Sequence, residues 1–388
     1  MAEALTGGYA QGSKDNLDAF NLYLDSIGDT VAGRRIEAIS ADTLGQAEAA
    51  ATKARQLVQN DKVQILAGAQ YTPECYAIAA YAKEARVPFV ASGSCGSQDV
   101  MTNPKFASPY IVRTTQVPTQ IGGALADYLV KHGMTKLILV ASNYAAGVQV
   151  GDFLAATYVE KGGSIAQEIH PPLGTSDMGP YLAQLSPAAN SLFLFAPGND
   201  GLHFMQQLSN YVPADRKLNI LDWGGTVSSY VDQLKDKAVG VIQVGPFTPV
   251  VDTPQANALK SAWNKKYPGR ALTFDAAEGW GGAQFIAQAI KDANGRVEDT
   301  ENFLKVLYKT KVDSARGPLS LDAQHDVVQN IYVSEIVKQG SGFTQKLLAT
   351  YPEVSRTTFL SADQIQRLST ATLKGKWVGM TKAKLDAY

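Results

Sequence analysis

Short apolar runs rich in β-branched residues alternate along this chain with longer segments whose apolar positions recur every three or four residues. Arg35–Ala41 (RIEAISA), Val63–Ala67 (VQILA), Val87–Ala91 (VPFVA), Leu137–Ala141 (LILVA) and Ser191–Phe195 (SLFLF) read as strands. Most are nearly continuous in apolar character, the signature of parallel strands covered on both faces. Between them, Ser13–Ile27 places Leu17, Phe20, Leu24 and Ile27 on one helical stripe, and Cys75–Arg86 does the same with Ile78, Ala79 and Ala82. This strand–helix–strand rhythm predicts right-handed crossovers and an α/β fold of doubly wound parallel sheets.

The rhythm runs twice. A first series ends near Thr114, and a second begins at Ile121–His132 and continues through Leu137–Ala141, Ser164–Ile169, Ser191–Phe195 and Leu218–Asp222. The polar stretch RTTQVPTQ (Arg113–Gln120) separates them, with Pro118 disfavouring helix at Val117. Two further breaks are VGPFTPVVDTP (Val244–Pro254) and ARGPLSLDAQHD (Ala315–Asp326), after which NIYVSEI resumes as a strand. Three breaks are more than two tandem domains need. The chain is therefore expected to leave one lobe, return and leave again: lobe I at 1–115 plus 247–318, lobe II at 119–243 plus 326–388. Crossovers near 116–118, 244–246 and 319–325 would form a three-strand hinge suited to opening and closing. The C-terminal stretch reads as one or two amphipathic helices with a turn at Gly375, packed on a lobe surface.

Composition narrows the function classes. A length of 388 residues suits about two domains, and 45% hydrophobic with 18% charged residues suffices for real cores. The 35 basic and 36 acidic side chains leave a net charge of −1, so no basic stripe offers itself to nucleic acid. No apolar run is long enough to span a membrane. The opening MAEALTGGYAQGS has no basic and apolar leader, as in a mature secreted form or a cytosolic protein. Cys75 and Cys95 are the only cysteines, which excludes a disulfide scaffold and a four-cysteine zinc site. Should the strands before them be neighbours, the two thiols come within bridging reach; a disulfide and two free thiols both stay open.

In open parallel sheets ligands sit beyond the carboxyl ends of the strands. Those loops are GAQYTPEC (Gly68–Cys75), SGSCGSQ (Ser92–Gln98), SNYAAG (Ser142–Gly147), APGND (Ala196–Asp200) and DWGGT (Asp222–Thr226). In SGSCGS, glycines allow close backbone approach and Ser92 and Ser94 add donors, which suits a carboxylate; an ordinary turn with a capping serine explains it equally well. Thr72 before Pro73 is expected to be an N-cap, leaving Gln70 and Tyr71 for a cleft. Tyr71, Tyr144 and Trp223 lie on three separate loops, where aromatic walls would hold a compact apolar ligand. Singly, each reads better as packing; together they favour a pocket.

Catalytic readings are weak. His132, His170, His203 and His325 are scattered away from those loops, and no nucleophile elbow, P-loop, HExxH or dinucleotide fingerprint occurs. Cys95 lies at a strand-to-helix turn where a thiolate is plausible, but no histidine serves as its base. No cofactor and no metal are expected, and the chain is expected not to be an enzyme.

Four stretches together resemble the leucine/isoleucine/valine-type substrate-binding proteins of ABC importers, with the type I periplasmic fold. LTGGYAQGSKDNLDAFNLYLDSIG is similar to that family's opening loop and helix, and VAGRRIEAISADT to its second strand. KARQLVQNDKVQILAGAQYT is similar to the helix, strand and first ligand loop, and GPLSLDAQHDVVQNIYVSEIVKQG to the third crossover. The resemblance implies that Gln70, Tyr71, Thr72, Ser92, Ser94 and Cys95 hold a ligand carboxylate in lobe I. Tyr144, Asn199 and Trp223 would close over it from lobe II, with Tyr9, Phe247 and Glu278 as further candidates. It also implies a periplasmic monomer serving a membrane permease and ATPase. Three features depart from the pattern. The acid that holds an amino acid's ammonium is replaced by Trp223 or Gly224, with Asp222 expected to point elsewhere. Cys95 stands where a second hydroxyl is usual, and only MAEA precedes LTG where a central strand is expected. A buried ammonium without a partner costs several kcal/mol. The expected ligand is therefore a small aromatic or otherwise apolar carboxylate, with a branched-chain or other apolar amino acid as the alternative. A ligand-sensing module and a cysteine-dependent enzyme rank below both.

Overall fold

A computed structural model describes residues 1–8, 10–213, 215–223, 226–371 and 373–388, without the side chains of Thr226 and Thr370. The chain divides into two compact units, Met1–Val117 with Val251–Asn330 and Pro118–Val250 with Ile331–Tyr388.

The first unit holds five parallel strands: β1 (Ala2–Glu3), β2 (Ala41–Asp42), β3 (Leu66–Gly68), β4 (Phe89–Ala91) and β5 (Ile111–Arg113). Their spatial order is β2-β1-β3-β4-β5. Helices Ala10–Ser26, Ala47–Gln59, Thr72–Ala85 and Phe274–Asp292 are among those that pack here. One core gathers Phe20, Leu24, Val90, Val112, Phe285 and Ile290; another gathers Leu57, Leu66, Ile78, Phe89 and Ile111.

The second unit repeats the plan with β6 (Lys136–Ala141), β7 (Ser164–Ile169), β8 (Ser191–Phe195), β9 (Asn219–Trp223) and β10 (Ile242–Gly245). Its parallel strands run in the order β7-β6-β8-β9-β10. Both sheets thus have the same doubly wound order, first strand second from the edge, which puts a topological switch point beside β1 and beside β6. The strand Val327–Gln339 pairs antiparallel with β10, and Gly342–Val354 pairs with it in turn, a long hairpin that the sequence reading missed.

Several expected elements shift. The run Arg35–Ala41 is no continuous strand: Arg34–Arg35 pairs with Thr30–Val31 in a hairpin, and only Ala41–Asp42 joins the sheet. Its alternation of polar and apolar residues misled, because Gly33 and Ala32 turn the chain back with positive φ. The central strand is present in short form, Ala2 pairing with Ala41 on one side and Gly68 on the other. The Met1 ammonium donates to Ile39 O, and burial lowers its pKa to about 6. In the tail, helices Ala362–Thr370 and Lys382–Leu385 form, and Trp377 is wholly buried with Nε1 donating to Asp152 (2.5 Å).

Candidate functional site

In the first unit, β3 and β4 end side by side, with Gly68 opposite Ala91. Beyond β3 the chain turns through Gly68 (φ +105°) and Ala69 (φ +71°). A non-glycine residue in the left-handed region stores about 1 kcal/mol or more. Ala69 is held there by its N–H donating to Ala2 O (3.0 Å) and its carbonyl accepting from Cys95 N–H (3.1 Å). The loop after β4 lies directly against this turn: a Cβ on Gly93 would sit 2.7 Å from the Ala69 carbonyl carbon. Only glycine fits there. Cys75 and Cys95 then close a disulfide with Cα atoms 5.6 Å apart, fastening the same two loops.

That fastening sets Gln70 against Ser94. Gln70 Nε2 donates to Ser94 Oγ (3.2 Å), and Gln70 Oε1 accepts from Ser94 N–H (3.3 Å). The helix Phe274–Asp292 brings two acids to the same place. Thr273 caps it, its hydroxyl accepting from Ala276 N–H (3.3 Å), and Asp275 and Glu278 stand three residues apart on one face. A Cβ on Gly279 would lie 2.0 Å from Asn16 O, so glycine alone permits this helix to approach its neighbour so closely. Asp275 Oδ1 accepts from Gln70 Nε2 (2.6 Å) and lies 3.3 Å from Ser94 Oγ. Glu278 Oε2 lies 3.2 Å from the same hydroxyl, and Oε1 accepts from Gln116 N–H (3.1 Å).

Both acids are buried. Burial pushes the Asp275 carboxyl up to about 8, with the neighbouring Glu278 and Asp15 charges adding to it. Glu278 is pushed up to about 7 by burial, against the pull of the Arg316 guanidinium. Donors are scarce around them. Asn16 Nδ2 donates to Ser92 O (2.7 Å) and Asp275 O (3.3 Å), while Asn16 Oδ1 and Gln116 Oε1 are buried without a partner.

The second unit has a different character. Tyr144 stacks on Phe195 with centroids 6.3 Å apart, and Phe195 meets Trp223 edge-on at 5.3 Å. These rings come from the ends of β6, β8 and β9 and form one aromatic cluster. Asn199 opens the helix Asn199–Leu208 and accepts from the Tyr230 hydroxyl (3.2 Å). Asp222 is turned inward, accepting from Val227 N–H (3.1 Å) and Gln243 Nε2 (3.2 Å).

Of the expected residues, Gln70, Ser94 and Glu278 come together in the first unit. Ser92 is buried and its hydroxyl accepts from Gly68 N–H (3.1 Å), a bond that ties the β3 and β4 ends. Thr72 is not the N-cap: Tyr71 is, and its N–H donates to Glu74 Oε2 (3.0 Å), leaving the Thr72 hydroxyl buried without a partner. Cys95 offers no thiol donor, since its sulfur is in the disulfide. Trp223 ends a strand inside the core at 4% exposure, not on an open loop. Phe247 is buried beyond β10, and Tyr9 and Gly224 lie outside the described residues. Asn16, Gln116, Asp275 and Phe195, not singled out from the sequence, join these two clusters. A signal existed for Asp275: FDAAEGWGG sets two acids in an apolar, small-residue helix, where an unpaired charge has no structural reason to be.

Two sheets of identical order, one ending in a polar donor–acceptor cluster and one in an aromatic cluster, define a class: a small-molecule binding protein on a pair of doubly wound units. The family model for periplasmic binding proteins matches residues 1–341, and the chain belongs to that family, whose members are substrate-binding proteins of ABC transporters and not enzymes. The chain is similar to the Leu/Ile/Val-binding protein homolog 6 of Brucella melitensis biotype 1, 27% identical over 87% of this chain and 86% of that one. It is also similar to a solute-binding protein of an ABC transporter from Rhodopseudomonas palustris BisB5, solved in complex with 3,4-dihydroxybenzoic acid. That structure has a TM-score of 0.85 at 29% identity and covers 92% of this chain and 97% of its own. An ABC transporter substrate-binding protein from Sphaerobacter thermophilus follows, with TM-score 0.84, 26% identity and coverage of 91% and 96%. No helix among the described residues is long and apolar enough to cross a membrane.

Proposed function

We propose that this chain is an extracytoplasmic solute-binding protein of an ABC importer, working in the periplasm and capturing a small aromatic carboxylate. The observation that carries the ligand class is the state of Asp222. Its carboxylate is committed to Val227 N–H and Gln243, and the rings of Tyr144, Phe195 and Trp223 gather around the strand ends. Such a surface suits an aromatic ring rather than an ammonium group. The similar protein from R. palustris, bound to 3,4-dihydroxybenzoic acid, supports the same reading. In the first unit, Gln70 and Ser94 are the polar groups proposed to meet the carboxylate, with Thr72 contributing its unpartnered hydroxyl.

One observation favours an apolar amino acid instead: the two acids beside Ser94 would suit an ammonium group. A thermal-shift screen separates the two. A ligand at a hundred times its Kd stabilises the folded state by about 2.7 kcal/mol. Benzoate and 3,4-dihydroxybenzoate are expected to raise the melting temperature, and leucine, isoleucine and valine are not. Shifts with amino acids alone would assign the chain to the second reading.

A further inference from the structure

The Ser94 hydroxyl carries one proton and lies within hydrogen-bond distance of two carboxyl groups, Asp275 Oδ1 and Glu278 Oε2. One hydroxyl cannot donate to both. Gln70 Nε2 supplies a donor to Asp275 and to Ser94, and Gln116 N–H supplies one to Glu278. Against these stand four carboxyl oxygens. The cluster is short of protons. A buried acceptor facing another acceptor costs the full desolvation of both, about 1–3 kcal/mol each. A proton on one carboxyl turns the repulsive contact at Ser94 into a hydrogen bond.

We propose that Asp275 and Glu278 are specificity-determining residues of the first-unit site: they retain one proton between them through Ser94, and an anionic ligand is captured together with that proton. The reading rests on the carboxylate ligand proposed above. A carboxylate arriving at Gln70 and Ser94 would otherwise add a third negative charge beside two buried ones. With the proton kept on the pair, the protonated acid donates to Ser94 Oγ and the Ser94 hydrogen is released to point at the ligand, while the ionised acid keeps the donor it already has, Gln70 Nε2 for Asp275 or Gln116 N–H for Glu278.

The surrounding charges leave room for this. From the helix Ala10–Ser26, Asp15 faces Asp275, but Arg270 and Thr273 engage it. Glu3 on β1 is buried beside Asp275 and is held well above the usual carboxylate range by burial, then by Glu74. Arg316 and Arg113 act on Glu278 from the segments beside it. Arg113 engages Asp326 through Nε (2.7 Å) and the carbonyls of Cys95 and Ser97 through Nη1, while its Nη2 is buried without a partner. Arg316 donates to Thr114 O (2.7 Å) and Gln329.

The test uses the full chain and benzoate, which does not titrate between pH 6 and 9.5. Calorimetry in two buffers of different ionisation heat counts the protons exchanged. At about pH 7–7.5 the pair already holds its one proton and little exchange is expected. Above about pH 8 close to one proton is taken up per benzoate, and Kd rises about tenfold per pH unit. The double variant Asp275→Asn/Glu278→Gln, with amide donors in place of acids, is expected to bind with no exchange and no pH slope. Benzoate binding with no proton uptake and a flat Kd overturns the proposal, as does proton release. If benzoate binds at no pH, the ligand reading falls. The pair is then judged by infrared spectroscopy of the ligand-free protein at neutral pH. A protonated-carboxyl C=O band that vanishes in the double variant upholds the retained proton, and no such band overturns it.

Discussion

Breaking the Cys75–Cys95 bond tests how the first-unit loops are held. The bond closes a chain segment with a sequence separation of 20, between the first turn of the helix Thr72–Ala85 and the loop that carries Ser94. The chain-entropy expression with n near 20 gives about 11 cal/mol/K, or about 3 kcal/mol at room temperature. In a cooperative unit of roughly 200 residues each kcal/mol moves the melting temperature by about 2–4 °C, so a fall of about 6–12 °C is expected for the first unit. Both cysteines are wholly buried, so the thiol state is best reached by denaturing, reducing and refolding in reductant. Scanning calorimetry of that protein, beside Cys75→Ala/Cys95→Ala, separates loop entropy from the packing lost with two sulfur atoms. The second unit carries no disulfide among its described residues and should melt at its original temperature. Because Cys95 N–H also holds Ala69 in its strained turn, ligand affinity should fall along with stability. A first-unit transition moved by less than about 2 °C, with affinity unchanged, would refute the reasoning.

The same geometry makes three further predictions. Tyr144→Ala removes a half-buried ring at the mouth of the aromatic cluster and should weaken benzoate binding about tenfold or more with a small loss of stability; equal affinity would remove it from the site. Trp223, by contrast, is packed in the core, so Trp223→Ala should cost about 3–5 kcal/mol in chemical denaturation and cannot serve as a clean probe. The ligand-free protein should also lose stability as pH rises. Asp275 and Glu278 titrate at about 8 and about 7 when folded and near 4 when unfolded, so the folded state binds the extra protons. Their stabilisation is complete below about pH 4 and is lost as pH climbs through 7 and 8, at up to about 1.4 kcal/mol per unit per group. The Met1 amine, lowered to about 6, acts in the opposite sense between pH 6 and 8 and offsets about one group. A melting temperature that rises from pH 5 to pH 9 would contradict the assignment.

The alternation of apolar runs and helical stripes revealed the doubly wound sheets because burial on both faces leaves a continuous apolar imprint at β6, β8 and β4. It failed at Arg35–Ala41, where a turn just before the run diverts its start into a hairpin, and at Gly342–Val354, which is largely exposed and reads as polar. The loops were legible for the same reason as the strands: Gly68, Gly93 and Ser94 follow a strand end directly. The acids were not. Asp275 lies 205 residues from Gln70, and Glu278 lies 184 from Ser94, distances over which no spacing rule operates.

That separation also locates the chemistry. Both units obey one strand order, so topology alone assigns them the same kind of ligand-binding edge. What distinguishes them is where each gets the side chains behind its loops. In the second unit these come from the strand ends themselves, as Phe195 and Trp223, and the result is apolar. In the first they come from a helix in the segment that returns to the unit after Pro118–Val250 of the other, and the result is a carboxyl pair. On the proposed role of the pair, a substitution in Phe274–Asp292 should change the charge of the ligand accepted without touching any strand-end loop. Glu278→Gln alone should shift the pH dependence of binding while the loops at Gln70 and Ser94 keep their hydrogen bonds to each other.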